Sequence, residues 1–195
     1  MNMTTTSPLL IDALSPWTTT LSERRKAALQ IAFGVAFLTL LAQLRIPIGP
    51  VPFTGQTLAV LLLGAAYGSR MGALTAAVYV VGGALGLPMF QGWQGGFAHL
   101  AGPTGGYLLA FPLAAATVGL FAQRGWDRKP VLTALAMLVG NAVIFVPGLL
   151  WLDTFMPSFS HTLSVGLLPF IPGDLVKIAI SMALLPSAWA MLQKR

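Results

Sequence analysis

The sequence predicts an all-α integral membrane protein: a bundle of six transmembrane helices with both termini cytoplasmic and outer loops rich in glycine and proline. Its composition is the first reason. Hydrophobic residues make up 56% of the 195 positions and charged residues only 8%, and the mean hydropathy is +0.79. A soluble domain carries roughly 25% charged residues because its surface must face water. We therefore expect most of the surface of this chain to face lipid.

The second reason is the length of the apolar runs. A transmembrane helix needs about 20 mostly apolar residues, or somewhat fewer where flanking side chains reach the interface. Six runs qualify, and the second of them is short. The predicted helices cover approximately residues 27–44, 57–69, 71–87, 104–123, 130–152 and 174–193. Residues 23–195 then form one membrane domain, and residues 1–22, rich in Ser, Thr and Pro, are predicted to be a flexible polar cytoplasmic tail.

The third reason is the distribution of Lys and Arg, which predicts the orientation. With an even number of spans, both termini lie on one side, and nine of the eleven cations share that side. They are Arg24, Arg25, Lys26, Arg70, Arg124, Arg128, Lys129, Lys194 and Arg195. The positive-inside rule makes this side cytoplasmic. The other two cations are Arg45, at the outer end of the first helix, and Lys177, inside the sixth.

The outer connections differ from the cytoplasmic ones. Residues 46–56, 88–103 and 153–173 are long and rich in Gly, Pro and aromatic residues, whereas loops that only face water are usually polar. Such segments are tolerated at membrane depth where they are buried in protein or line a cavity. We therefore predict a pocket on the outer face. The alternative is that Gly and Pro are ordinary turn residues here.

Asp174 and Lys177 are the strongest candidates for a ligand site. Their spacing of three residues places both side chains on nearly the same face of the sixth helix. Asp174 alone would be explained as a helix N-cap. A lysine one turn inside an uncharged helix, however, needs a partner or a polar cavity. A ligand site and a structural ion pair are both possible, and the two are compatible.

The proline-rich stretch at residues 49–57 is the second candidate. Its prolines keep the backbone extended, which leaves polar groups free, and Gln56 adds a donor and an acceptor. Thr54 and Thr57 stand beside it, and one of them is expected to cap the following helix.

A third group is aromatic. Phe90, Trp93 and Tyr107 alternate with glycines that would let the backbone approach a ligand closely. In the middle of the fifth helix, Asn141 is either a buried hydrogen-bonding residue or part of the pocket.

Small residues recur every four positions along the first helix, at Ala28, Ala32 and Ala36. A stripe of this kind lets another helix pack closely in lipid. The spacing does not distinguish a helix of the same bundle from a helix of another protein.

Several classes of function are excluded by what the sequence lacks. His99 and His161 have no acidic neighbours at ligand spacing, so we expect no metal site. With five acidic residues in all, no acid–base pair or Ser-His-Asp set is available, and no catalytic residues are predicted. The phosphate-loop motif is absent, so no nucleotide cofactor is expected. The cations form short clusters between apolar runs, which argues against nucleic-acid binding.

Four motifs carry a resemblance to a known family. They read I-P-I-G-P-V-P-F-T-G-Q-T-L at residues 46–58, G-L-P-M-F-Q-G at 86–92, G-P-T-G-G-Y-L at 102–108 and P-G-D-L-V-K at 172–177. With the length and six spans, they resemble the BioY family, the biotin-capturing S components of energy-coupling-factor (ECF) transporters. The resemblance covers the chain after about residue 23, and the polar tail falls outside it.

The resemblance implies a multi-pass protein of the bacterial cytoplasmic membrane that binds biotin from outside and needs no cofactor. It also implies a transmembrane T component and two ATPase subunits as partners, with the Ala28, Ala32 and Ala36 stripe facing the T component. Competing interpretations are an S component for another vitamin, a self-sufficient carrier and a membrane enzyme.

The resemblance also implies roles within the site. Asp174 would accept hydrogen bonds from the ureido N–H groups of biotin, and Lys177 would donate to the ureido carbonyl or to the carboxylate. Gln56 and Thr54 would complete the polar shell. The rings would be held by four aromatic residues: Phe53, Phe90, Trp93 and Tyr107.

Overall fold

The computed structural model describes residues 8–14 and 22–192, which form α-helices and one short pair of strands. The helices are α1 (Leu10–Leu14), α2 (Glu23–Gln43), α3 (Gln56–Ala84), α4 (Phe97–Leu100), α5 (Gly105–Ala122), α6 (Pro130–Asp153), α7 (Phe159–Gly166) and α8 (Ile171–Leu192). Strands β1 (Arg45–Ile46) and β2 (Phe53–Thr54) pair antiparallel. The short helices α4 and α7 lie within stretches that were predicted as outer connections.

Five helical segments in the described part are long and apolar enough to cross a membrane. They are Glu23–Gln43, Gln56–Ala84, Gly105–Ala122, Pro130–Asp153 and Phe159–Leu192. The last segment contains both α7 and α8. Large apolar side chains on these segments, among them Phe33, Leu113 and Leu150, point away from the protein core and are exposed. Apolar surface of this extent suits lipid better than water, as expected of a multi-pass membrane protein.

The long helix α3 reverses its direction at Gly68. This residue has φ 77° and ψ 175° inside the helical stretch, a conformation that glycine adopts at little cost. A Cβ atom added at Gly72 would lie 3.0 Å from the Cα atom of Gly64, although eight residues of straight helix would separate the two positions by about 12 Å. Helix α3 is therefore two antiparallel arms, residues 56–67 and 69–84. The turn between them lies where the sequence predicts one.

Helix α5 packs closely against both arms of α3. At Gly64 an added Cβ atom would meet the backbone of Ala115, with the carbonyl oxygen 2.5 Å away, and at Gly119 it would meet the backbone of Ser69. Small residues at such crossings allow two helix backbones to touch in lipid. On the outside of this central pair, α2 packs against α3, and α6 joins α5 to α8.

The alanine stripe of α2 faces outward. Gly34, Val35, Leu38 and Ala42 are the buried residues of this helix, whereas Ala28, Ala32 and Ala36 are all exposed. The stripe is therefore on the side of α2 that is turned away from the rest of the chain.

Part of the predicted tail is packed against the helices. Leu10 of α1 is buried in the core, and the Pro8 carbonyl oxygen accepts a hydrogen bond of 3.3 Å from Arg128. Lys26 of α2 forms an ion pair of 3.2 Å with Asp12. The sequence predicted a flexible tail at residues 1–22, and these contacts of residues 8–12 were not expected from it. Residues 1–7, 15–21 and 193–195, which include Lys194, Arg195 and the predicted end of the sixth helix, lie outside the described residues.

Candidate ligand-binding site

An open cavity of about 520 Å³ lies among the start of α3, the 91–107 region, α5, α6 and α8. Its apolar lining comes from Val51, Pro52, Leu108, Phe111, Phe145 and Phe170. Its polar lining comes from Thr54, Gln56, Thr57, Gln91, His99, Thr104, Tyr107 and Lys177. A mostly apolar cavity with a few convergent polar groups is the usual form of a small-molecule site.

The charge in this region is carried by Lys177 and Asp174 in the first turns of α8. The Lys177 Nζ atom lies 3.0 Å from Asp174 Oδ1, and the two side chains are only 11% and 9% exposed. The same ammonium donates to Thr57 Oγ1 at 2.7 Å and lies 4.1 Å from the ring centroid of Phe53. Lys177 lines the cavity directly, and Asp174 stands beside it. The structure thus brings the predicted pair together and adds Thr57 as a third member.

A chain of hydrogen bonds fixes the amide of Gln56. Its Oε1 atom accepts from Thr54 Oγ1 at 3.0 Å, and its Nε2 atom donates to the Tyr79 hydroxyl at 2.7 Å. The Tyr79 hydroxyl in turn donates to the Met89 carbonyl oxygen at 3.0 Å. Because both ends of the amide are engaged, its orientation in the cavity wall is set. Tyr79 was not predicted from the sequence, because a single tyrosine in an apolar stretch does not by itself indicate a binding site.

Four aromatic residues follow one another on the other side of the cavity. Phe170 stacks on Phe53 with ring centroids 6.1 Å apart, and Phe145 meets Phe170 edge to face at 6.0 Å. Tyr107 also meets Phe145 edge to face, at 6.0 Å, and its hydroxyl donates to the Gly166 carbonyl oxygen at 3.1 Å. Phe53 and Tyr107 were predicted from the sequence. Tyr107 lines the cavity, whereas Phe53 does not line it and contacts the lining residue Phe170. Phe145 and Phe170 were not predicted, since a phenylalanine in an apolar stretch carries no signal of its own.

Phe90 and Trp93, the other two predicted aromatic residues, do not line this cavity either. Phe90 is fully buried behind it, against Tyr79 at 5.6 Å and His99 at 5.1 Å between ring centroids. Trp93 is 59% exposed on an outer turn, with φ 59°. Phe90 therefore supports the wall from behind, and Trp93 lies at the surface.

Gln91, His99 and Thr104 complete the lining and were not predicted as site residues. Burial lowers the pKa of His99, which favours the neutral imidazole. In this part of the cavity wall the side chains therefore offer hydrogen-bonding groups without net charge.

Asn141 lies in a separate and smaller cavity. This cavity has room for about one water molecule and also touches Lys177 and Ser181. Asn141 is thus placed behind the lysine rather than in the wall of the larger cavity.

Comparison with known proteins gives consistent matches over most of the chain. A family model described as "BioY family" matches residues 15–194. The "Probable biotin transporter BioY" of Pyrococcus horikoshii is 43% identical over 149 residues, which are 76% of this chain and 87% of that protein. The "Biotin transporter BioY" of Thermotoga maritima is 37% identical over 147 residues, 75% of this chain and 85% of that protein.

A solved structure is also similar. It is a crystal structure of the "S-component for biotin from an ECF-type ABC transporter". The TM-score is 0.75 at 27% sequence identity, and the match covers 91% of this chain and 95% of that one.

Proposed function

The chain belongs to the BioY family, and from this we infer that it takes up biotin as the substrate-specific S subunit of an ECF-type transporter. The family match spans nearly the whole chain, the curated relatives are biotin transporters, and the similar structure is a biotin S component. The observation that carries the proposal within this molecule is the cavity itself. It combines an apolar, aromatic wall with one buried Lys–Asp pair.

We propose that biotin lies in this cavity with its polar groups toward Lys177 and Gln56. Biotin has a ureido group with two N–H donors and one carbonyl, an apolar thioether ring and an anionic tail. Asp174 would accept from the ureido N–H groups, and Lys177 would donate to the ureido carbonyl or to the carboxylate. Thr54 and Gln56 would extend this polar shell.

The rings of biotin would lie against Tyr107, which lines the cavity, and against Phe53, whose ring stacks on the lining residue Phe170. Phe90 would keep that wall in place from behind, because it fills the space between Tyr79 and His99. Trp93 would meet the ligand only at the surface, since its side chain is exposed.

The ligand can be tested directly. Purified protein should retain radiolabelled biotin, and excess unlabelled biotin should displace it. Excess thiamine or riboflavin should not, because neither presents a carbonyl flanked by two N–H donors to the Lys–Asp pair. Equal displacement by another vitamin would assign the chain to a different S-component branch, and failure to retain biotin would refute the proposed function.

We propose that the chain crosses the membrane six times, with the Gly68 turn and both termini in the cytoplasm. In support, the two arms of α3 are antiparallel, and exposed Arg70 follows the turn. Four further cations, Arg24, Arg25, Arg124 and Lys129, are exposed on connections or helix ends that this topology places on the same side.

Single cysteines can map this topology, because the native chain has no cysteine. In intact cells, a membrane-impermeant maleimide should label Trp93→Cys. It should label Arg70→Cys and Arg124→Cys only after permeabilisation. If α3 crossed the membrane once as a single helix, Arg70→Cys would lie within the bilayer and would stay unlabelled under both conditions.

We also propose that a T component packs on the exposed Ala28, Ala32 and Ala36 face of α2, and that two ATPase subunits complete the transporter. The exposure of all three alanines supports a partner outside the chain. A membrane partner that co-purifies with the protein would distinguish this arrangement from a self-sufficient carrier.

The Tyr79 hydroxyl is expected to be needed for tight binding. In Tyr79→Phe, Gln56 Nε2 loses its acceptor, and the Met89 carbonyl oxygen loses its donor. Leaving buried polar groups unpaired costs about 1–3 kcal/mol, and a freed Gln56 amide can turn away from the ligand. Isothermal titration calorimetry should show biotin affinity reduced about tenfold.

Tyr67→Phe is the matched control. It also removes a hydroxyl that donates to a backbone oxygen, that of Gln30 at 3.0 Å, but Tyr67 does not line the ligand cavity. Its biotin affinity should stay within twofold of the wild type. Equal losses in the two variants would show that the Tyr79 effect is general destabilisation.

A further inference from the structure

The small cavity behind Lys177 has no role in the proposed biotin site. It lies among α3, α6 and α8, with Asn141, Lys177 and Ser181 as its polar lining and Leu, Met and Ile side chains around them. Lys177 lines this cavity as well as the larger one. A single side chain therefore connects the two spaces.

Asn141 brings an acceptor without a partner to this cavity. The residue is 8% exposed, and its Oδ1 atom has no hydrogen-bond partner among the described residues. Buried carbonyl oxygens nearly always have a partner, either in the protein or in ordered water. Because Asn141 lines the cavity, a donor for its Oδ1 atom is expected there.

The Lys177 ammonium can supply that donor. It carries three N–H groups, and two of them go to Asp174 Oδ1 and Thr57 Oγ1. The Ser181 hydroxyl donates to the Lys177 carbonyl oxygen at 2.9 Å, so its hydrogen is already used while its oxygen can still accept. Three polar groups around one small space are enough to hold a bridging water.

We propose that Asn141 is a positioning residue for Lys177, joined to the ammonium by a hydrogen bond through water in the small cavity. The inference rests on the proposed biotin function and adds a step to it. When the ureido N–H groups of biotin bind the Asp174 carboxylate, the Lys177 ammonium loses its direct counterion. The Asn141 contact keeps the ammonium hydrogen-bonded, so that the ion pair can open toward the ligand at a lower cost.

A double-mutant cycle tests this coupling. In the wild-type background, Asn141→Leu should weaken biotin binding about tenfold, as measured by calorimetry. In the Lys177→Met background, the same change should alter affinity less than twofold, because the group on which Asn141 acts is gone. Met137→Leu, which changes an apolar residue of the same cavity at nearly constant volume, should stay within twofold of the wild type. Equal effects of Asn141→Leu in both backgrounds, or no effect in the wild type, would overturn the inference.

A second measurement needs no ligand and covers variants that bind too weakly for calorimetry. The chain has four lysines, Lys26, Lys129, Lys177 and Lys194, so the side-chain ¹⁵N signal of Lys177 can be assigned as the one missing in Lys177→Met. Asn141→Leu, or Asn141→Ala if the larger side chain prevents folding, should shift this signal and leave the other three in place. An unshifted Lys177 signal would overturn the inference. Loss of biotin binding by the wild-type protein would instead refute the proposed function.

Discussion

Replacing Lys177 by methionine, or Asp174 by asparagine, should weaken biotin binding by roughly 30- to 5,000-fold. The reason is the burial of the pair: the two side chains are 11% and 9% exposed and their charged atoms lie 3.0 Å apart. Removing one partner of a desolvated charge pair leaves the other uncompensated, at a cost of about 2–5 kcal/mol. A contact to biotin is lost in addition. Titration calorimetry on purified protein measures the change in Kd.

The double variant separates the two explanations that the sequence left open. Lys177→Met with Asp174→Asn removes both charges, so the thermal stability lost in the single variants should largely return. Biotin affinity should stay low if the charges contact the ligand. Lys129→Met, which removes an exposed cation outside the cavity, should leave the Kd unchanged. Affinity near the wild-type value in both single variants would contradict the site assignment.

The features that sequence reasoning placed well depend on local spacing. Helix α6 was predicted at residues 130–152 and is found at Pro130–Asp153, because one continuous apolar run defines it. The Asp174–Lys177 pair follows from the geometry of a single helical turn. The reversal at Gly68 was also predictable, since a Gly-Ser-Arg turn divides two apolar stretches.

The features that were missed depend on packing between distant segments. Phe145 and Phe170 line the cavity, but a phenylalanine that faces lipid has the same sequence context. Phe90 and Trp93 were predicted to act together, and they lie apart because Gly92 and Trp93 both have positive φ values. These backbone turns direct Phe90 inward and Trp93 toward the surface. Tyr79 joins the site only because the second arm of α3 returns beside Gln56.

Gly64→Ala should destabilise the folded protein more than Gly82→Ala, the same change elsewhere in α3. The new Cβ atom would lie 2.5 Å from the carbonyl oxygen of Ala115 and 2.9 Å from its Cα atom. Backbone atoms cannot rotate aside, so α3 and α5 must move apart. Overpacking of this kind costs about 1–3 kcal/mol. In lipid, close approach is also what holds two helices together. Thermal unfolding followed by size-exclusion chromatography should show a lower Tm and a smaller monodisperse peak.

Gly82→Ala is the matched control, because it makes the same change in the same helix. Its added Cβ atom would meet the Met89 side chain, with Sδ at 3.1 Å and Cε at 3.3 Å. A methionine side chain can change rotamer to make room. The gain in helix propensity from glycine to alanine is the same at both positions. The difference in Tm between the two variants therefore isolates the backbone contact between α3 and α5. Equal Tm values would mean that this contact is not what holds the two helices together.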